Sequence, residues 1–188
     1  MEQKILDEVR EIKKSLRLAM NGIVSTIQRR QGLDYKINFG VEIPRLKGIA
    51  EAHAKNRELA TTLWQDNIRE CKMLAIFLMP ESGYAHVAEQ WIAEAPFTEI
   101  ADHLTMVILS KLPDAATNAI QWIQNGEGMF RYCGFMTLTH LFRRGIELDK
   151  KHESIYLAIA KDIEKTENRK SVIMAAYNSL SHYCNDDE

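Results

Sequence analysis

Apolar residues recur at helical spacing along almost the entire chain. After Phe39, the residues Ile43, Leu46, Ile49 and Ala50 follow one another at i, i+3, i+6 and i+7, which places them on one face of a helix. The same kind of spacing continues in the segments that follow, and no segment alternates convincingly with the period of two that a half-buried strand would need. The pattern predicts an all-α fold.

Prolines divide this helical pattern into short elements. Pro44 lies where a helix begins, a position at which its missing N–H costs nothing, and Pro80, Pro96 and Pro113 mark later boundaries. The predicted helices are 2–20, 21–31, 43–54, 56–64, 67–79, 84–94, 97–111, 114–124, 128–145, 150–165 and 168–184.

A short internal repeat favours stacked helix pairs. The six residues RECKML from Arg69 and the six residues RYCGFM from Arg131 share Arg, Cys and two apolar residues in register, and a weaker copy begins at Arg169. Helix pairs of roughly 35 to 40 residues are typical of HEAT-like solenoids, in which neighbouring units bury each other's apolar faces. We expect a single HEAT-like domain over 1–188, with N-terminal helices in 1–31 and repeats over about 39–184. The alternative is a coincidence between amphipathic helices.

Composition is that of an ordinary globular domain, with 46% hydrophobic and 27% charged residues among 188. The N-terminus lacks the apolar core of a signal peptide and no later segment approaches a membrane span, so we expect a cytoplasmic protein without a membrane partner. The formal net charge of −2 lacks the overall basic excess typical of nucleic-acid binding, although separate basic clusters could form a stripe on one face. The alternative is that these clusters are solvated helix faces.

Several kinds of chemistry are not indicated. Cys71, Cys133 and Cys184 form no Cys-x-x-Cys pair, and we interpret them as buried thiols. The six histidines lack the helical spacing of a metal site, and no glycine-rich loop could hold phosphates. We therefore expect no metal and no cofactor.

The stretch FGVEIPRLKGIAEAHAKNRELATTLWQDNIRECKMLAIFLMP, from Phe39 to Pro80, together with the later segments FTEIAD and AAYNSLSHY, resembles the DNA alkylation repair family of the AlkD type. The resemblance covers about 39–183. It implies a HEAT-like helical-repeat DNA glycosylase, whose concave surface holds the DNA backbone and whose site excises positively charged alkylated bases.

The resemblance also implies a set of site residues. The family has two adjacent tryptophans, an aspartate, two variable residues and the catalytic aspartate, where this chain has FTEIAD, so Asp102 corresponds to the catalytic residue. The family's arginine falls on Tyr132, beside Arg131, and its last tryptophan falls on Asn178, beside Tyr177. The predicted pocket comprises Trp91, Phe97, Glu99, Arg131, Tyr132, Tyr177 and Asn178.

Each of these assignments has a structural alternative. Asp102 could instead cap a neighbouring helix, and Trp64, Trp91 and Trp122 have the spacing of core residues. The residues expected to contact the DNA backbone are Arg45, Lys47, Arg143, Arg144, Arg169 and Lys170.

Two functions remain. One is a scaffold that binds double-stranded DNA with alkylated bases and has residual alkylpurine glycosylase activity. The activity is expected to be residual because aromatic faces stabilise a cationic base, and two of the family's aromatic positions are substituted in this chain. The other is a non-catalytic HEAT-like scaffold that binds a protein partner.

Overall fold

The computed structural model describes residues 2–183. Within these residues the chain is helical and forms no strand apart from one isolated parallel bridge between Ile37 and Ile68, so the all-α prediction is confirmed. Two short 3-10 turns lie at Glu81–Gly83 and Leu109–Lys111. The helices are α1 (Glu2–Leu18), α2 (Gly22–Arg30), α3 (Ile43–Glu51), α4 (Arg57–Gln65), α5 (Arg69–Leu78), α6 (Tyr84–Glu94), α7 (Thr98–Val107), α8 (Ala115–Asn125), α9 (Met129–Phe142), α10 (Lys150–Lys161), α11 (Ile163–Thr166) and α12 (Lys170–Tyr183).

Local side-chain chemistry explains where several helices begin. The Asn21 side chain accepts hydrogen bonds from the N–H groups of Ile23 and Val24 at the start of α2, and Asn56 caps α4 in the same way. Every predicted helix has an observed counterpart, but several boundaries differ. The predicted helices 43–54 and 97–111 end earlier, at Glu51 and Val107. The predicted helix 128–145 ends at Phe142, and Gly145 beyond it has a φ of 68°, outside the right-handed helical region. The predicted helix 150–165 is interrupted at Asp162.

The chain divides into two compact units, Met1–Gly83 and Tyr84–Glu188. The expected single HEAT-like domain over 1–188 would contain both units, and it stays a prediction.

In the first unit, α4 packs against α5, with α3 on α5 and α1 on α4. A buried pair of charged residues at the start of α5 holds the segment that leads into α3. The Glu70 carboxylate accepts hydrogen bonds from the N–H groups of Phe39 and Val41 at 3.1 and 3.2 Å, and the Arg69 guanidinium donates to the Val41 carbonyl at 3.0 Å. The first copy of the repeated Arg-x-Cys segment is therefore part of the scaffold of this unit.

In the second unit, α8 and α9 form an antiparallel pair. Gly134 of α9 lies so close to α8 that a Cβ atom there would meet the Ile123 side chain at 2.6 Å and the Ala119 carbonyl oxygen at 2.9 Å. Only glycine allows this approach of the two helices. Arg131 supports the same contact, because its Nε donates to the Ile123 carbonyl at 3.2 Å.

A second antiparallel pair, α10 and α12, follows, and its Tyr156 and Ser179 hydroxyls are 2.9 Å apart. Helices α9 and α12 run in the same direction. Arg131 near the start of α9 pairs with Glu167 just before α12, and the rings of Phe142 and Tyr183 meet at the two C-terminal ends with centroids 5.4 Å apart. Successive helix pairs whose second helices lie side by side are the arrangement expected of helical repeats.

The core contains the side chains predicted for it. Trp64, Trp91 and Trp122 are buried, and so are the thiols of Cys71 and Cys133. Cys184 lies outside the described residues. No helix among residues 2–183 is both long enough and apolar enough to span a membrane.

Candidate active site

Asp102 lies in the middle of α7, half-buried, on the side that faces α9. Its Oδ1 accepts a hydrogen bond from the Tyr132 hydroxyl at 2.6 Å. The residue that precedes α7 is Phe97, so Asp102 is not at the end of its own helix. Its hydrogen bond comes from a phenol side chain and not from a backbone N–H at the start of a helix, which argues against the capping interpretation.

A cleft of about 570 Å³ opens beside this carboxylate, between α7, α9 and α12. It brings Asp102 together with three predicted pocket residues, Tyr132, Tyr177 and Asn178. These residues are far apart in sequence, and the packing of α7 and α12 against α9 places them together. The remaining lining residues are Met136, Ser171, Met174, Ala175 and Ser181.

Burial has the largest effect on the pKa values of both Asp102 and Tyr132. Desolvation raises the pKa of Asp102, the hydrogen bond from Tyr132 opposes that effect, and the nearby Glu99 carboxylate raises the pKa further. Desolvation and the hydrogen bond to Asp102 also raise the pKa of Tyr132, so the phenol keeps its proton and remains a donor. The arrangement thus places a partly desolvated carboxylate, oriented by a neutral phenol, at the wall of an open cleft.

Three other predicted pocket residues are located differently. Trp91 lies in the core on α6, with 1% of its surface exposed, and Phe97 is half-buried immediately before α7. Neither is among the residues that line the Asp102 cleft. Glu99 lies one turn before Asp102 and acts on it through its charge.

Arg131 lines a second, polar cleft of about 530 Å³, where Arg169 also lies. Both guanidinium groups contact Glu167, with Nη1 of Arg131 at 3.4 Å and Nη1 of Arg169 at 3.2 Å from its carboxylate oxygens. The Glu167 side chain is only 3% exposed and also accepts from the backbone N–H groups of Asn168 and Arg169, each at 3.0 Å. Its pKa is lowered, because these hydrogen bonds and the two arginines outweigh its desolvation.

The two clefts are joined by one contact. Tyr177, which lines the Asp102 cleft, is hydrogen-bonded to Glu164, which lines the polar cleft, and this bond raises the pKa of Tyr177. This hydrogen bond connects the walls of the two clefts in the second unit.

The residues expected on the DNA backbone are all exposed. Arg45 and Lys47 lie on α3 of the first unit. In the second unit, Arg143 and Arg144 follow α9, while Arg169 and Lys170 lie at the start of α12, so the two pairs are at opposite ends of these parallel helices. Arg144 also donates to the Ser110 carbonyl.

The sequence interpretation missed Glu167 and the two methionines of the cleft. Met136 follows Tyr132 by four residues on α9, and Met174 precedes Asn178 by four on α12. Residues at that spacing share a helix face, so this signal was available once Tyr132 and Asn178 had been assigned. Glu167 had no such signal, because its two arginines come from different elements.

Among residues 2–183, no group of three or more His, Cys, Asp or Glu side chains is arranged to hold a metal ion.

Residues 14–179 match the family model described as DNA alkylation repair enzyme. No curated protein and no solved structure matches the chain.

Proposed function

Because this chain belongs to the DNA alkylation repair enzyme family, we propose that it binds double-stranded DNA containing alkylated bases and retains a residual alkylpurine glycosylase activity. The observation that carries the proposal is the Asp102 carboxylate, held by Tyr132 at 2.6 Å in an open cleft with Tyr177 and Asn178. A HEAT-like arrangement of the helices is part of the same proposal, supported in the second unit by the successive pairs α8–α9 and α10–α12.

The chemistry requires a carboxylate near the sugar of the alkylated nucleotide. Positive charge develops on the sugar as the glycosidic bond breaks, and a partly desolvated carboxylate stabilises that charge more strongly than one in bulk water. Asp102 has this environment, and Tyr132 fixes its orientation by donating to Oδ1. In this role Asp102 must be ionised, so base release falls as the pH drops through its raised pKa.

The aromatic surface of the cleft is small. Tyr132 and Tyr177 line it, while Met136 and Met174 occupy other parts of the wall and Asn178 stands where the resemblance places a tryptophan. Contact between a cation and an aromatic face contributes about 0.5 to 2 kcal/mol. The loss of such contacts slows base release relative to a family member with the full set.

The polar cleft provides a binding site for the DNA backbone. Arg131 and Arg169 are held there by the buried Glu167, which limits their conformational freedom before any phosphate arrives. Glu167, together with Glu127 and Glu164 of the same lining, offsets the charge of these arginines, so they bind a phosphate more weakly than two unpaired arginines would. The geometry therefore favours a protein that binds DNA and releases alkylated bases slowly.

A base-release assay tests the proposal directly. Duplex DNA methylated on purines is incubated with the wild-type protein, with Asp102→Asn, with Tyr132→Phe and with Glu89→Gln, which removes an exposed carboxylate outside both clefts. Slow release of 3-methyladenine or 7-methylguanine is expected from the wild type and Glu89→Gln, and none from Asp102→Asn. Tyr132→Phe should release more slowly and lose activity at a higher pH than the wild type, because a hydrogen bond to a charged group contributes about 1.5 to 3 kcal/mol.

Three outcomes would overturn the proposal in different ways. Release that survives in Asp102→Asn would remove Asp102 from the chemistry. A wild-type protein that releases no base but binds DNA would be a non-catalytic DNA-binding scaffold, and one that does neither would favour the protein-binding alternative.

A further inference from the structure

The segment from Ile12 to Leu33 contains five cationic residues and no Asp or Glu. Lys13 is paired with Asp66 at 2.8 Å within the first unit. The other four, Lys14, Arg17, Arg29 and Arg30, are exposed and form no ion pair with any residue in the described part of the chain. A chain with a formal charge of −2 thus has a strongly cationic region at the α1–α2 corner.

The same corner exposes large aliphatic side chains. Leu18 is 81% exposed, Met20 62% and Ile23 75%, and Ile27 is also exposed. Helix α2 buries none of its residues. Aliphatic side chains exposed to this degree in one short segment indicate a binding surface.

Helix α2 is nevertheless firmly attached to its unit. The Asn21 N–H donates to the Phe39 carbonyl at 2.8 Å, and the Asn38 side chain donates to Gln28 Oε1 at 2.8 Å. Gly40, with a φ of 71°, lies so close to the Asn21 backbone that a Cβ atom there would collide with it. The exposed face therefore belongs to an anchored helix.

The composition of that face distinguishes among polyanionic partners. Ile23, Ile27 and Arg30 are spaced at i, i+4 and i+7, so a cation shares one helix face with two aliphatic side chains. A helix that lies in a lipid surface needs a broad apolar face with its cations on the opposite side. Arginine together with aliphatic wedges is instead the combination that proteins use in the minor groove of DNA.

We propose that the side chains of Ile23, Ile27 and Arg30 enter the minor groove of bound DNA, while Lys14, Arg17 and Arg29 contact the flanking phosphates. This inference rests on the proposed function and adds to it a DNA-binding surface on the first unit. Arginine is favoured by the negative potential of a narrow A·T minor groove. The aliphatic side chains lose their exposure to water against the sugars and base edges of the groove.

DNA binding measured by fluorescence polarisation over a series of salt concentrations tests the inference, on a fluorescent duplex with an A·T-rich centre. Ile23→Ala/Ile27→Ala should weaken binding about tenfold with an unchanged salt dependence, because only apolar burial is lost. Arg29→Ala/Arg30→Ala should lower the slope of log K against log salt by about two, since both cations displace counterions from the DNA, Arg29 at a phosphate and Arg30 in the groove. Netropsin bound in the minor groove should displace the wild-type protein.

Matched controls are Leu6→Ala, an exposed aliphatic residue beside Asp7, and Arg57→Ala, an exposed cation beside Glu58. Both control variants should bind DNA with the affinity of the wild type and should be displaced by netropsin in the same way. Circular dichroism checks that every variant is folded. Wild-type DNA binding that is unaffected by the α2 variants or by netropsin would overturn this inference alone. A wild type that binds no DNA would overturn the proposed function as well. If the wild type binds phosphatidylglycerol vesicles, and the α2 variants lose this binding while their DNA binding is unaltered, the partner of this surface is a membrane and not the minor groove.

Discussion

The ionised carboxylate of a single residue, Asp102, lowers the stability of the folded protein. Burial raises the pKa of Asp102, the hydrogen bond from Tyr132 lowers it, and the charge of Glu99 raises it further. A carboxyl group whose pKa rises on folding adds stability below its unfolded pKa, and that contribution is lost as the pH rises through the folded value. At pH values above the folded pKa the ionised Asp102 therefore destabilises the fold, as expected of a group retained for chemistry.

We expect Asp102→Asn to melt at a higher temperature than the wild type at neutral pH, with the difference shrinking as the pH falls into the range where Asp102 is protonated. The asparagine Oδ1 still accepts from Tyr132, so the hydrogen bond survives while the buried charge is removed. Thermal unfolding of both proteins between acidic and neutral pH measures the effect. A variant that melts lower at neutral pH would assign Asp102 a structural role.

Among the elements, buried charges join segments that are far apart in sequence. Glu70 and Arg69 fasten 39–41 to the start of α5, and Glu167 fastens the start of α12 to α9. In both cases a carboxylate accepts from backbone N–H groups and from an arginine. Removing one partner of such a pair costs more folding stability than the intact pair contributes, because the remaining charge is left buried without a partner.

Glu70→Ala should therefore destabilise the first unit by about 3 to 5 kcal/mol, the cost of an uncompensated buried arginine. Urea unfolding followed by circular dichroism measures it. Glu58→Ala, which removes an exposed glutamate from α4, is the matched control and should change stability by less than about 0.5 kcal/mol. Equal effects in the two variants would show that the Glu70 network contributes nothing specific.

Glu167→Gln tests the second junction through pH. The folded-state pKa of Glu167 is lowered, so its stabilising contribution is present above the ordinary glutamate pKa and is lost as the pH falls through the folded value. The variant should be less stable than the wild type by about 1 to 3 kcal/mol at neutral pH and equally stable at low pH. A stability difference that is independent of pH would contradict an ionic role.

On the scale of the whole molecule, electrostatics predicts weak DNA binding with a strong dependence on salt. The formal charge is −2, so affinity depends on local cations such as Arg45 and Lys47 and not on the overall field.

We expect Arg45→Ala/Lys47→Ala to lower the slope of log K against log salt by about two, with Lys161→Ala, an exposed lysine outside the predicted set, as the control. Polarisation measurements with duplex DNA over a range of salt concentrations determine both slopes. An affinity that does not change at high salt would contradict phosphate contacts as the main source of binding.

Helical periodicity, proline placement and capping residues are local properties, so they were sufficient to predict the all-α fold and the approximate positions of the helices in 2–183. The sequence also determined that the three tryptophans and two of the cysteines are core residues. Its resemblance to the family identified Asp102, Tyr132, Tyr177 and Asn178, which the structure brings to one cleft.

Which of the candidate residues share a site depends on how the helices pack, and local sequence patterns do not contain that information. Trp91 and Phe97 are near Asp102 in sequence yet do not line its cleft, whereas Tyr132 and Tyr177 come from distant helices and do. Arg131 points to Glu167 and not to Asp102, because adjacent residues on a helix differ by about 100° in direction. The directions of side chains depend on how helices pack, and close contacts such as that of Gly134 with α8 set this packing across many residues of sequence.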